Sequence, residues 1–200
     1  MSTLVSQVLI PGQRLKRDEF LRRWEAMPDL KHAELIGGVV YMPSPVSLEH
    51  RSHVNLVSGW LMHYAARTPG CDAGSGGTWL MLEDASQPDA DLRILPEHGG
   101  QSRVENSYGA GAPELAAEIS LSTASYDLGP KMELYRAAGV QEYLAVLLGE
   151  SRVVWYRLAA GNYLPIQPGS DGLLRSVVFP GLWLDPAALA ALDRARVLDV

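Results

Sequence analysis

Pro113-Glu114-Leu115-Ala116-Ala117-Glu118-Ile119-Ser120-Leu121 is the stretch that decides how this chain folds. Leu115 to Leu121 has the length and apolar content of a buried strand. Side chains alternate across a strand, so Ala116, Glu118 and Ser120 share one face, and Leu115, Ala117, Ile119 and Leu121 share the other. One carboxylate therefore sits in a mostly apolar strand. Such a group is costly to bury unless it is paired or binds a metal. Taken alone, Glu118 also has a plainer reading, a strand-end acid hydrogen-bonded to a loop.

Downstream of this strand the pattern turns helical. Pro130 suits a first helical turn, and Gly139 suits the position just past the end. Leu128, Lys131, Leu134, Tyr135 and Ala138 form one stripe at helical spacing, which points Lys131 inward. A pairing of Lys131 with Asp127, its ammonium reaching past the core to water, is the alternative. Only a strand-helix turn separates Lys131 from Glu118. Glu142 to Leu148 and Arg152 to Arg157 read as strands joined through Gly149. Short strands at Tyr163–Ile166 and Arg175–Val178 and a terminal helix over Pro186–Leu192 complete this half.

Upstream, Thr78–Leu82 and Asp89–Leu95 read as strands, with loops over Gly70–Gly77 and His98–Ala112. In Gln87-Pro88-Asp89-Ala90-Asp91-Leu92, Pro88 marks a strand edge, and Asp89 and Asp91 share a face of the strand. Asp89 as a turn residue capping nearby amides is the plainer alternative. Leu48 to Arg67 is helical, with Val54, Leu56, Val57, Trp60, Leu61 and Tyr64 recurring near a 3.6 period. Ala33 to Met42 reads as a hairpin around Gly37-Gly38, ended by Pro43-Ser44-Pro45. Lys16 to Ala26 is a short amphipathic helix. Strands and helices mixed in this order predict an α/β (α+β) fold, a mixed sheet flanked by helices with an N-terminal helix and hairpin.

Composition sets the outer limits. A chain of 200 residues, 47% hydrophobic and 20% charged, has the profile of one globular domain over 1–200. Its core is expected over about 15–157, with C-terminal strands and a helix over 158–200. Cys71 is the only cysteine, which excludes an intramolecular disulfide or a cysteine-based zinc site and fits a reducing cytoplasm. There is no signal-peptide pattern and no apolar run of membrane-spanning length, so no membrane role is expected. The net charge of -6 counts against a broad electrostatic grip on nucleic acid. It leaves room for a local basic groove or for a metal ion that supplies the positive charge.

An Asp on one strand, a Glu on the next and a Lys nearby have a shared use. Two carboxylates bind a hard cation such as Mg²⁺ through oxygen. The cation acidifies water and stabilises phosphoryl charge, while a lysine positions the water. This is the logic of metal-dependent phosphodiester hydrolysis.

Glu34-Leu35-Ile36-Gly37-Gly38, His50, Pro88-Asp89, Pro113 to Ile119, Tyr126-Asp127, Lys131, Leu134-Tyr135, Ala138-Gly139-Val140 and Glu142-Tyr143 occur in an order and spacing that resemble the Uma2 family of proposed endonucleases. That family lies within the PD-(D/E)XK, restriction-endonuclease-like superfamily, and the resemblance runs from about Leu15 to Arg157. It implies that Asp89 and Glu118 are metal-binding acids, that the Ile119 backbone carbonyl is a third ligand, and that Glu34 is the N-terminal acid completing the site. Ser120 stands where the superfamily's lysine would fall, and Lys131 matches the helix-borne lysine of Uma2-like chains. His50 matches a histidine early in the long helix, although on its own it reads as a helix-end residue facing solvent or capping. Gly37 replaces the usual Asp of the hairpin turn. Asp91 stands where a small or apolar residue is common, and either adds a metal ligand or faces solvent.

The reading these residues favour is a DNA endonuclease dependent on Mg²⁺ or Mn²⁺, working as a homodimer by resemblance. A catalytically inactive interaction or regulatory module on the same fold is the alternative, favoured by the acidic charge. A glycoside hydrolase using Glu34 and Glu118 is a third reading, and it predicts no metal requirement.

Overall fold

A computed structural model of the chain describes residues 8–42 and 46–200. The turn expected at Pro43-Ser44-Pro45 lies outside the described residues. Helix α1 (Arg17–Glu25) leads into a hairpin of β1 (Glu34–Ile36) and β2 (Val39–Tyr41). Gly37 and Gly38 both take positive φ at its turn, which glycine tolerates without a Cβ penalty. Asp84 receives both turn N–H groups, at 2.7 Å from Gly37 and 3.0 Å from Gly38. A carboxylate from a distant strand thus serves this turn.

The long helix α2 (Leu48–Ala65) starts at Ser47, whose side chain accepts the His50 N–H at 3.1 Å. Strands β3 (Cys71–Gly74), β4 (Trp79–Met81), β5 (Asp84–Ser86), β6 (Ala90–Ile94), β7 (Arg103–Glu105), β8 (Tyr108–Ala110) and β9 (Leu115–Ser120) follow. Then comes a wide, π-type turn over Asp127–Lys131 and helix α3 (Met132–Ala138), closed by Gly139 at φ 85°. Strands β10 (Glu142–Leu147), β11 (Arg152–Ala159), β12 (Asn162–Pro165), β13 (Leu174–Arg175) and β14 (Trp183–Leu184) precede the short helices α4 (Pro186–Ala190) and α5 (Arg194–Asp199).

The strands build two mixed six-stranded sheets, ordered β2-β1-β5-β4-β8-β7 and β12-β11-β10-β9-β6-β3, plus the β13-β14 pair. The mixed sheets and flanking helices are the architecture expected from the sequence, but the strands divide between two six-stranded sheets rather than one. The loops expected over Gly70–Gly77 and His98–Ala112 hold β3 and the β7-β8 hairpin, and β5 has no counterpart in the sequence reading. The strand expected at Arg175–Val178 is the shorter β13, because Val177 and Val178 turn their N–H groups to Glu142 instead. The terminal helix expected over Pro186–Leu192 is shorter, and α5 follows it.

Strand β9 lies at the centre of the second sheet. It pairs parallel with β10, Glu118 opposite Ala145, and antiparallel with β6, Ala90 opposite Ala117. Its two faces bury different material. Ala117 and Ile119 meet Leu56, Val57, Trp60 and Leu61 of α2. Ala116 meets Tyr135 and Leu134 of α3, together with Trp79 and Met81 from the first sheet. Leu182, Leu184, Leu189 and Val197 join the α2 side, so the C-terminal segment packs into the same core as β9.

Candidate active site

Three local events in the chain make the site. First, β6 begins at Ala90, so Asp89 stands just before it and beside β9 where the ladder stops. There Asp89 Oδ2 accepts the Ile119 N–H at 2.8 Å, replacing a strand partner with a side chain. Second, Glu118 points to the α3 side of the sheet and is buried, 3% exposed. Third, the wide turn over Asp127–Lys131 carries Pro130 and a non-helical Gly129 (φ -114°, ψ -106°). It delivers Lys131 into the interior just before α3 begins.

Lys131 Nζ lies 2.8 Å from Glu118 Oε1 and 3.0 Å from Glu34 Oε1. The alternative pairing with Asp127 is not formed; Asp127 instead accepts the hydroxyls of Ser120 and Thr123, each at 2.6 Å. Glu34 also accepts the Ser86 hydroxyl at 2.9 Å and the Gln87 N–H at 2.7 Å. Tyr135 donates to Glu118 Oε1 at 2.5 Å, and its oxygen is 3.0 Å from Ser86 Oγ. Lys131, Glu118, Tyr135, Ser86 and Glu34 therefore close a ring of polar contacts inside the protein.

The electrostatics follow from burial. Desolvation pushes Glu118 well above the ordinary carboxylate range, opposed by Lys131 and reinforced by the charges of Asp89, Asp127 and Glu34. Burial acts to lower Lys131, but Glu118, Glu34 and Asp127 outweigh it and hold the ammonium well above its usual value.

His50 departs from its expected place. Rather than facing solvent at the helix end, it turns its Nε2 to 3.4 Å from Asp89 Oδ2. The Asp89 carboxylate raises the His50 pKa most, with desolvation opposing and the Ile119 backbone adding to the rise. His53 is buried, its Nδ1 3.0 Å from the Glu49 carbonyl oxygen. Asp91 neither faces solvent nor joins Asp89. Its Oδ1 accepts the Trp79 indole N–H at 3.1 Å, and burial raises its pKa to about 6.

The structure thus gathers Glu34, Glu118 and Lys131 into one cluster and places Asp89, the Ile119 backbone and His50 in a second group next to it. Tyr135, Ser86 and Tyr126, whose hydroxyl donates to Glu34 Oε2 at 3.4 Å, belong to the first cluster; Tyr126 and Tyr135 lie in the quoted motifs, but the sequence assigned none of the three a role in the site. Tyr135 had a signal in its place on the inward stripe with Lys131; Ser86 had none.

Among the described residues, no three His, Cys, Asp or Glu side chains converge so as to hold a metal ion by themselves. What adjoins is two carboxylates and a main-chain carbonyl. The donor chemistry fits a hard dication, since all three donors are oxygens. Asp89 Oδ1 and Glu118 Oε2 carry no hydrogen bond among the described residues, the partners of each acid resting on the other oxygen. Glu34 fits less well as a ligand, because Oε1 already accepts three partners. A sugar-cleaving pair fits poorly, because Glu34 and Glu118 are both buried and bridged by one ammonium.

Comparison with known proteins bears on this geometry. No curated protein matches the sequence. Among solved structures, that of "a putative nuclease belonging to DUF820" from Anabaena variabilis ATCC 29413 aligns with a TM-score of 0.66. The match covers 88% of this chain and 99% of that one at 17% identity, a level that speaks to fold alone. A family model described as "Uma2: Putative restriction endonuclease" matches residues 17–187. With that match spanning most of its length, and with the fold shared, this chain belongs to the Uma2 family.

Proposed function

We propose that this chain is a DNA endonuclease that hydrolyses phosphodiester bonds with the help of Mg²⁺ or Mn²⁺. The observation that carries the reading is the buried Lys131 ammonium, held by Glu34 and Glu118 next to Asp89 at the end of a strand ladder. Asp89, Glu118 and the Ile119 carbonyl would hold the cation. When bound, such an ion supplies the charge that acidifies water and stabilises a phosphoryl oxygen.

The chain's own residues divide the remaining work. Two carboxylates keep Lys131 protonated, so at neutral pH its Nζ donates hydrogen bonds rather than accepting a proton. It orients the attacking water and the phosphate oxygen. Glu34, fixed by Ser86 and Gln87, holds that ammonium in place. Tyr135 engages Glu118 Oε1 and leaves Oε2 for the cation. The cation also answers the objection from net charge, because it brings positive charge to an acidic protein at the point of reaction. We take the whole chain as one catalytic domain, the homodimer as its working form because paired sites cut both strands, and the cytoplasm as its location.

Supercoiled plasmid incubated with Mg²⁺ or Mn²⁺, with EDTA as control, tests this directly. Nicking is expected with metal and lost with EDTA, with Glu118→Gln and with Asp89→Asn. Nicking by Asp89→Asn at the wild-type rate would sink the site assignment. A non-catalytic module is the second reading, favoured by the closed ring that already engages Glu118. It predicts neither nicking nor cation binding.

A further inference from the structure

Strand β3 is an edge of the second sheet, and its last residue, Gly74, pairs with Asp91 of β6. Asp91 lies on the face turned to the first sheet, where Ala116 opposite it meets Trp79. Gly74 has no side chain and so leaves the Asp91 carboxylate uncovered on that side. A Cβ there would stand 3.2 Å from Oδ1 and 3.3 Å from Oδ2. A cleft of about 190 Å³ opens here between the two sheets, lined by Gly74, Thr78, Trp79, Asp91, Arg93 and Gly109. Trp79 is its flat wall. The ring closes on Gly109, where a Cβ would come within 2.5 Å of it, and the indole N–H occupies Asp91 Oδ1. Oδ2 has no hydrogen-bond partner among the described residues, although Asp91 is only 4% exposed. Arg93 directs its guanidinium to Asp72 instead, at 2.7 and 2.9 Å. One neutral N–H is little compensation for a buried carboxylate, so Oδ2 is an acceptor in want of a donor. The cleft also adjoins the proposed cation site. Asp91 is two residues from Asp89, about 7 Å in an extended chain. The link between β3 and β4 is tied to the residues just before Asp89. The Gly76 N–H donates to the Pro88 carbonyl at 3.2 Å, and the Gln87 side chain donates to the Thr78 hydroxyl at 3.2 Å.

We infer that this cleft receives the amine-bearing edge of an unpaired DNA base, whose exocyclic N–H donates to Asp91 Oδ2 beside Trp79, close to the phosphate to be cut. The inference rests on the nuclease reading above. Cytosine and adenine present an amine that a carboxylate accepts, and guanine carries one as well. Thymine presents O4 and a methyl group instead. Seated in the cleft, it would set one acceptor against another and leave the buried carboxylate unpaired, so it is rejected by mismatch. The base must be unstacked, because a walled cleft takes a base that is swung out or already single-stranded.

The test is fluorescence anisotropy of labelled oligo-dC, oligo-dA and oligo-dT in EDTA, which prevents cleavage. It compares wild type with Asp91→Asn and Gly74→Val, each confirmed to be folded. Wild type is expected to bind oligo-dC and oligo-dA about tenfold more tightly than oligo-dT, the ratio expected from one hydrogen bond to a charged group. In Asp91→Asn the amide oxygen stays with Trp79 and an NH₂ faces the cleft, so the preference should vanish or turn toward oligo-dT. Gly74→Val sets a side chain against the carboxylate and should bring the three strands level. Only ratios are compared, so a general gain in DNA affinity from losing a negative charge does not enter. Equal affinity of wild type for the three strands overturns the inference, and so does a preference that either variant keeps. Plasmid nicking by the same preparations in Mg²⁺ or Mn²⁺ separates the two readings. Nicking without base preference leaves the nuclease standing and removes this inference alone. A wild type that neither nicks nor binds any strand removes both.

Discussion

The ammonium of Lys131 touches Glu118 at 2.8 Å and Glu34 at 3.0 Å, and all three groups are buried. Removing the cation leaves two interior acids without a counter-charge. Lys131→Met is expected to cost about 3–5 kcal/mol at neutral pH, in line with breaking a buried ion pair from one side. The sign of its pH dependence is fixed. Without Lys131, Glu118 rises further above its unfolded value, so the variant regains stability as pH falls and Glu118 takes up a proton. Urea unfolding at pH 5 and pH 8 should show the gap to wild type narrowing at pH 5; a constant gap would contradict the assignment. The proposed cation site has its own pH signature. Protonation of a carboxylate competes with metal binding, and burial favours the protonated form of Glu118, so affinity should strengthen as pH rises. Titration calorimetry in two buffers of different ionisation enthalpy would reveal the released proton. The sequence showed Glu118 and Lys131 because an acid in an apolar strand and a base on an apolar stripe are both anomalies. It could not show Ser86 or the His50–Asp89 contact, since those depend on how separate elements are placed in space.

Two elements shape the site, the early end of β6 and the wide turn before α3. The turn was legible only as a helix start at Pro130, because a π-type widening has no periodic signature. Asp91 in β6 illustrates how an element hides a charge. It accepts the Trp79 indole N–H while buried, and its pKa stands at about 6 against an ordinary 3.8. The raised value means that this carboxyl favours the fold below pH 4 and that the advantage is lost as pH rises through about 6. The difference corresponds to about 3 kcal/mol at most. Asp91→Asn keeps the acceptor and removes the charge, so it should raise stability at pH 8 by about 1–3 kcal/mol and match wild type near pH 4. Thermal melts across this range check it, and a stabilisation that grows toward low pH would refute it. The unforeseen strands were unreadable for a related reason. Arg103–Glu105 is exposed throughout, and β8 joins its sheet through parallel pairing with the distant β4, so neither carries an alternating apolar pattern. Gly100 is the tight point before this hairpin, where any Cβ would collide with the Ile94 carbonyl. Gly100→Ala should destabilise the chain by about 1–3 kcal/mol through backbone displacement.

At the scale of the whole molecule, the C-terminal segment and the centre of the second sheet share one core. Glu142 at the start of β10 is fully buried and receives the Ser176 hydroxyl and the N–H groups of Val177 and Val178. Trp60 of α2 donates its indole N–H to the Trp183 carbonyl at 3.0 Å. Glu142→Ala strands those donors and should cost about 1–3 kcal/mol per unsatisfied group, read by urea unfolding. The overall order of strands and helices was legible because apolar periodicity survives in the long segments. The division into two sheets was not, because it is decided by β4, β5 and β8, each only three residues long. The chain thus combines a net charge of -6 with a site where a buried lysine and two acids adjoin a strand end. The most direct test compares metal-dependent plasmid nicking with Mg²⁺ and Mn²⁺ affinity in wild type and Lys131→Met, after confirming that both are folded. The account predicts that nicking falls by about 100-fold or more in the variant while cation affinity changes far less. Equal nicking by wild type and Lys131→Met would contradict it.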